Sequence, residues 1–276
     1  MPRLAVNGVT LNVETAGAGP ALVLLHGFTG SAAGWAAHLP ALAARHFTIA
    51  IDMLGHGGSD APVDAARYGI VYVAGDVLAV LDCLAIARAA VLGYSMGGRA
   101  ALFLAVAAPE RVTALILESV SPGIADPGER AVRRRQDAEL ADAIERDGVQ
   151  AFVDRWERLP LFASQARLPG GVRSAVRAQR AAHSARGLAN SLRGLGQGTQ
   201  PPLFDRLPTV AMPALLIAGA LDGRYAALGR EMSRSMRAAR LVVVPDAGHT
   251  VHLEQPEVFQ RAVLDFLGTL EEGDRA

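Results

Sequence analysis

The sequence predicts an α/β fold: a mostly parallel central sheet flanked by helices, with a helical insertion before the last two strands. Three observations carry this. Short, almost uniformly apolar runs rich in Val, Leu and Ile recur along the chain, helical patterns alternate with them, and residues 123–207 break the alternation with helix-like sequence alone. Runs apolar at every position are how strands covered on both faces read, and their alternation with helices implies parallel pairing.

The opening "MPRLAVNGVTLNVETAG" alternates like a strand pair. Six further strands are expected at "ALVLLHG" (21–27), "FTIAIDM" (47–53), "AAVLGY" (89–94), "VTALILES" (112–119), "ALLIAGA" (214–220) and "RLVVVPDAG" (240–248). Helical patterns fall at 34–45, 70–86, 97–108, 225–237 and 256–270. Residues 123–207 are arginine-rich and interrupted at Pro160, Pro169 and "GLGQG". Their position reads as a helical cap over the strand ends, which divides the chain into a core (1–122 and 208–276) and a cap insertion (123–207). Chemistry is expected beyond the carboxyl ends of the strands.

Composition narrows the function. The 276 residues are 51% apolar and 20% charged, with a formal net charge of zero. That balance is globular and gives no electrostatic case for a nucleic acid or an anionic membrane as partner. All 27 basic residues are arginine. Coding bias accounts for this, so an arginine here is weaker evidence of an anion contact than in a lysine-using protein. The single cysteine, Cys83, excludes an internal disulfide and a multi-cysteine metal site. Without a signal-like or membrane-length apolar run, the expectation is a soluble cytoplasmic protein.

"GYSMG" (93–97) fits G-x-S-x-G between an apolar strand and a helical pattern, the context of a nucleophile elbow. A tight strand-to-helix turn there would lift the Ser95 hydroxyl out of the sheet. The base would be His249 in "PDAGHTVHLEQPE", with His252 as the alternative. The acid that holds the imidazole would be Asp222 in "LLIAGALDGRY", with Glu118 as the alternative. Asp246 lies too near His249 in sequence to orient it, and Asp52 reads as a brace for the loop after its strand. An oxyanion site would take the backbone N–H groups of Met96, after the serine, and Phe28, in "LLHGFTGS". His26 would order that loop, and His38, His46, His56 and His183 read as surface or packing residues.

Arg99 follows Ser95 by one helical turn, in the otherwise apolar "MGGRAALFLAVAAPE". A guanidinium buried there needs an anion or water. The partner is either an internal carboxylate or a carboxylate on the substrate.

These segments, with "GYSMGGRAAL", "LILESVSPGI", "FVDRWERLPLFASQ", "ANSLRGLGQGTQPPLF" and "GHTVHLEQPE", resemble a family of the α/β-hydrolase fold, the 2-succinyl-6-hydroxy-2,4-cyclohexadiene-1-carboxylate (SHCHC) synthases of menaquinone biosynthesis. The resemblance runs along most of the chain, and the cap stretches are its most specific part. It implies a lyase that removes pyruvate from a cyclohexene bearing a succinyl group, an enolpyruvyl ether and a ring carboxylate, with no cofactor and no metal. Ser95, activated by His249 and Asp222, would take a ring proton. The resemblance further implies Arg99, Tyr94, Arg134, Trp156 and Arg180 as contacts for this small polycarboxylate, with Arg133 and Arg135 as rivals to Arg134. His183 and Ser184 stand where many relatives carry an Asn pair, and "LDGRYAAL" also departs from the common pattern. These departures bear on the shape of the pocket more than on the reaction.

Overall fold

The computed structural model describes residues 3–273. Its strands are β1 (Arg3–Val6), β2 (Val9–Ala16), β3 (Ala21–Leu25), β4 (Phe47–Ile51), β5 (Ala89–Tyr94), β6 (Val112–Glu118), β7 (Ala214–Gly219) and β8 (Ala239–Val244). The helices are α1 (Leu39–Ala43), α2 (Ile70–Cys83), α3 (Met96–Ala107), α4 (Pro127–Trp156), α5 (Gly170–Ala181), α6 (Ala185–Leu195), α7 (Gly223–Ser235), α8 (Val251–Glu254) and α9 (Pro256–Gly273). One sheet runs in the order β1-β2-β4-β3-β5-β6-β7-β8. The first hairpin and the β2–β4 pair are antiparallel, and every pair from β4 to β8 is parallel.

The apolar strand runs follow from this layering. Val23 and Leu25 face one core, with Val77 of α2 and Leu102 of α3. Leu22 and Leu24 face the other, with Leu42 of α1 and Phe259 and Val263 of α9. Side chains alternate along a strand, so a sheet covered on both faces needs an apolar residue at every position. A third, smaller core (Ile144 and Phe152 of α4, Leu188 and Leu192 of α6) lies within the helical segment between β6 and β7. No described helix is long and apolar enough to cross a membrane.

Two sequence expectations change in detail. The helix expected at 34–45 is a 3-10 turn, Ala32–Trp35, followed by the short α1. Pro40 sits in the first turn of α1, where its missing N–H starts a new helix more readily than it continues an old one. The helix expected to reach residue 86 ends at Cys83, and Ala85 turns left-handed just beyond it (φ 56°). In the helical segment, α4 breaks at Gly148 (φ 84°, ψ 164°), a 3-10 turn starts at Pro160, and Pro169 caps α5.

The chain runs from β3 outward to β4, then returns to lay β5 on the other side of β3. The carboxyl ends of β3 and β5 therefore diverge into a crevice, where ligands bind in open α/β sheets. Leu25 of β3 pairs with Gly93 of β5, which brings the loop after β3 beside the turn after β5.

Candidate active site

Ser95 occupies the sharp turn between β5 and α3 with φ 50° and ψ −106°, a conformation costly for a residue with a Cβ. Its N–H donates to the Glu118 carbonyl of β6 at 2.8 Å, and its own carbonyl accepts from Arg99 N–H at 3.0 Å. The turn leaves no room for a side chain at Gly97. A Cβ there would stand 2.4 Å from the Leu25 carbonyl oxygen and 2.5 Å from that of His26. Gly27 is equally confined, since its Cβ would meet the Tyr94 ring at 2.5 Å. Gly97 of the motif and Gly27 of the β3 loop let the elbow and that loop touch.

Three loop ends meet at this serine. The Ser95 hydroxyl lies 3.0 Å from His249 Nε2, in position to donate to it. His249 Nδ1–H donates to Asp222 Oδ2 at 2.7 Å. His249 and Asp222 are buried, and Asp222 also caps α7 by accepting from Tyr225 N–H at 3.4 Å. The two rivals stand elsewhere: His252 donates to Glu118 at 2.8 Å, away from the serine hydroxyl.

Met96 is the first residue of α3, so its N–H lies among those a helix leaves without an internal partner. Phe28 sits in the turn closed by Gly30 N–H on the Gly27 carbonyl. His26 ties that turn down: its Nδ1–H donates to the Gly27 carbonyl at 2.8 Å, and its Nε2 accepts from Met53 N–H at 3.0 Å. Asp52 braces the same region through Ala32 N–H at 2.6 Å and Gly58 N–H at 2.7 Å.

Ser95, His249 and Asp222 open into a cavity of about 340 Å³, which Phe28, Tyr94, Met96, Arg99 and Trp156 also line. Arg99 is buried, and burial lowers its pKa to about 10, which leaves it charged at neutral pH. It donates to Gln200 Oε1 at 2.7 Å and to the Leu195 carbonyl at 2.8 Å. Both acceptors are neutral, and Arg99 makes no ion pair among the described residues. The Trp156 indole N–H is buried with no hydrogen-bond partner there. Tyr94 donates to or accepts from Thr250 Oγ1 at 2.9 Å, and burial pushes its phenol pKa up.

Two of the expected contacts do not line the Ser95 cavity. Arg134 is exposed, and its backbone packs against Gly198. Its neighbour Arg133 lines the cavity, donating to Asp137 Oδ1 at 2.8 Å and to Gln197 Oε1 at 2.8 Å. Successive helical residues point about 100° apart, so only one of the pair can face inward. Arg180 is buried but does not line the Ser95 cavity. It lies 4.9 Å over the Phe162 ring, donates to Gln165 Oε1 at 3.2 Å, and faces a neighbouring cavity that shares Phe28, Tyr94 and Phe162 with the first. His183 and Ser184 lie outside the Ser95 cavity: His183 bridges Thr29 and Gly57, and Ser184 caps α6.

Sequence reasoning missed Tyr225 and Gln197. Tyr225 packs edge-on to His249 at 4.6 Å, and Gln197 Nε2 donates to its hydroxyl at 3.4 Å. Tyr225 was discoverable, since a residue one turn beyond the acid lies beside the imidazole. Gln197 lies in "ANSLRGLGQGTQPPLF", a segment of the family resemblance, but nothing in that stretch singled it out as a site residue.

A strand-elbow serine joined to histidine and aspartate on a doubly covered parallel sheet defines an α/β hydrolase architecture, and the model of the α/β hydrolase fold family matches residues 20–256. Within that class the chain belongs to the SHCHC synthase family. It is 44% identical to a protein of Bacillus subtilis (strain 168) described as a candidate SHCHC synthase, over 93% of each chain. It is 30% identical to the SHCHC synthase of Serratia proteamaculans (strain 568), over 90% of this chain and 93% of that one. Among solved structures, MenH from S. aureus superimposes with a TM-score of 0.90 at 31% identity, covering 95% of this chain and 98% of that one. The enol-lactonase from Burkholderia xenovorans LB400 gives a TM-score of 0.84 at 30% identity, over 97% and 100%.

Proposed function

We propose that this chain is a carbon–oxygen lyase of menaquinone biosynthesis. It eliminates pyruvate from 2-succinyl-5-enolpyruvyl-6-hydroxy-3-cyclohexene-1-carboxylate to give SHCHC. The single observation that carries the reading is Arg99. A buried guanidinium whose hydrogen-bond partners among the described residues are neutral lines the cavity into which the Ser95 hydroxyl opens. It makes no ion pair among the described residues, and this substrate brings three carboxylates.

In this reading His249 takes the Ser95 proton as the serine oxygen removes the ring proton beside the succinyl ketone. Asp222 holds the imidazole in the tautomer that accepts at Nε2 and stabilises it once protonated. The Phe28 and Met96 N–H groups bind the developing enolate oxygen, which needs the same two convergent donors as an ester oxyanion. The electron pair of the broken C–H bond forms a ring double bond, the existing double bond shifts, and the carbon–oxygen bond to the enolpyruvyl group breaks. The departing enolate takes up a proton to become pyruvate, so the triad ends as it began. No acyl-enzyme forms. Residues 123–207 act as a cap over residues 1–122 and 208–276, contributing Arg133 and Trp156 to the site.

A carboxylesterase or C–C bond hydrolase would use the same triad, but a neutral substrate would have no use for Arg99 and Arg133 in the cavity. The test is to incubate the enzyme with the enolpyruvyl substrate and follow pyruvate and the absorbance of the conjugated diene together. One pyruvate per diene is expected. Hydrolysis of simple esters with no pyruvate from this substrate would overturn the proposal.

A further inference from the structure

The two rivals left over from the triad, Glu118 and His252, are joined to each other. Glu118 ends β6 and is fully buried. Its Oε1 accepts from His252 backbone N–H at 3.0 Å, and the His252 ring Nδ1–H lies 2.8 Å from Oε2 and 3.0 Å from Oε1. The carbonyl of the same residue accepts the Ser95 N–H at 2.8 Å. Glu118 thus holds the nucleophile turn through its backbone and the histidine loop through its side chain.

His252 follows His249 by three residues and is the second residue of α8. Its ring lies 4.9 Å from that of Tyr94 and 4.8 Å from that of Trp35, and its carbonyl accepts from His38 Nε2–H at 3.0 Å. Glu254 secures the other side of the loop, accepting from the N–H groups of Gly248 (2.7 Å) and Thr250 (3.2 Å), the two residues that flank His249. Neither Glu118 nor His252 lines the Ser95 cavity. Burying a carboxylate is costly, and apolar packing would fill the same space at less cost. What an apolar pair could not supply is a directional tie between two separate chain segments.

We propose that the Glu118–His252 pair is a positioning unit for the triad: it fixes the loop that carries His249 against the strand end that anchors Ser95. The proposal rests on Ser95, His249 and Asp222 acting as the reactive triad. Without the tie, the loop keeps its Glu254 anchor but loses its registry with β6, and His249 Nε2 moves relative to the serine hydroxyl. A displacement of about 1 Å at such a contact costs up to about 10²-fold in rate.

The experiment compares wild type with Glu118→Gln, His252→Phe and His252→Asn. Ser95 labelling by a fluorophosphonate reports the hydroxyl–imidazole geometry without the lyase substrate. Pyruvate release gives kcat and KM, and thermal melting shows that each variant is folded at the assay temperature. Glu118→Gln keeps the shape of the side chain but removes one acceptor, and His252→Phe keeps the ring but loses the donor. Both are expected to slow labelling and kcat about ten-fold or more, with KM within about two-fold. His252→Asn, whose amide N–H can still reach Glu118, is expected to retain about a third or more of both rates. Labelling of folded Glu118→Gln within about two-fold of wild type would overturn the proposal, as would His252→Asn falling as far as His252→Phe. Should Glu118→Gln not fold, the two His252 variants decide alone. A wild-type enzyme that labels rapidly but forms no pyruvate would remove the lyase reading and leave the positioning unit standing.

Discussion

At Arg99, one residue carries both a fold constraint and a functional one. Its backbone continues the helix from the elbow, and its guanidinium reaches the cavity with Gln200 and the Leu195 carbonyl as its hydrogen-bond partners among the described residues. Truncating a buried charged hydrogen-bonding partner typically costs ~2–5 kcal/mol. Arg99→Ala is therefore expected to lower kcat/KM for the tricarboxylate by ~10²-fold or more. Steady-state pyruvate release checks this, and an unchanged value would remove Arg99 from the binding site. Ser95, Asp222 and His249 were legible as residues because each follows a recognisable strand, and strand ends converge on this fold. Asp222 was legible ahead of Glu118 because it lies just past a strand end with Gly223 to turn the chain; it meets His249, and Glu118 meets His252 instead.

The arginines of α4 show what is decided at the level of the element. The family resemblance implies a cap arginine within "ERAVRRRQD", but the sequence cannot fix the rotation of a helix whose pattern is polar on most sides. The face of α4 that buries Asp137, Ala141 and Ile144 also carries Arg133, which reaches Gln197 beyond α6, while Arg134 faces solvent. Arg133→Ala is expected to raise KM about ten-fold, while Arg134→Ala stays within about two-fold, as surface substitutions usually do. Equal KM values for the two variants would contradict this orientation. Arg180 follows the same logic. The strongly amphipathic α5 turns it inward, but Phe162 of the Pro160–Arg167 turn comes between it and the Ser95 cavity. The prolines that interrupt the helical segment were legible as breaks. Which face each helix turns to the core was not, because tertiary partners far along the chain decide it.

The whole molecule joins a sheet buried on both faces to a site at its topological switch point. Its strands were legible because double burial forces apolar residues at every position. The four histidines read as surface or packing residues, His38, His46, His56 and His183, are all buried. Desolvation lowers the pKa of His26 to about 4 and also lowers those of His38, His56 and His183. The rings of His26 and His183 lie 5.0 and 5.2 Å from that of His56, so charge on one opposes charge on the next. An unfolded chain protonates its histidines below about pH 6.5, while the folded chain keeps these neutral to lower pH. The unfolded state then binds more protons, and stability falls as pH drops from about 6.5 toward 4. Urea midpoints measured between about pH 7 and pH 5 should decline, most steeply below 6.5. A flat profile would mean that these rings charge freely in the fold.

The most direct test of the account is single-turnover pyruvate release by Ser95→Ala with saturating enolpyruvyl substrate. Removing the group that accepts the ring proton is expected to lower the rate by about 10³-fold or more, with substrate binding retained through Arg99. A variant that binds substrate and still releases pyruvate at a rate near wild type would show that another group takes the proton.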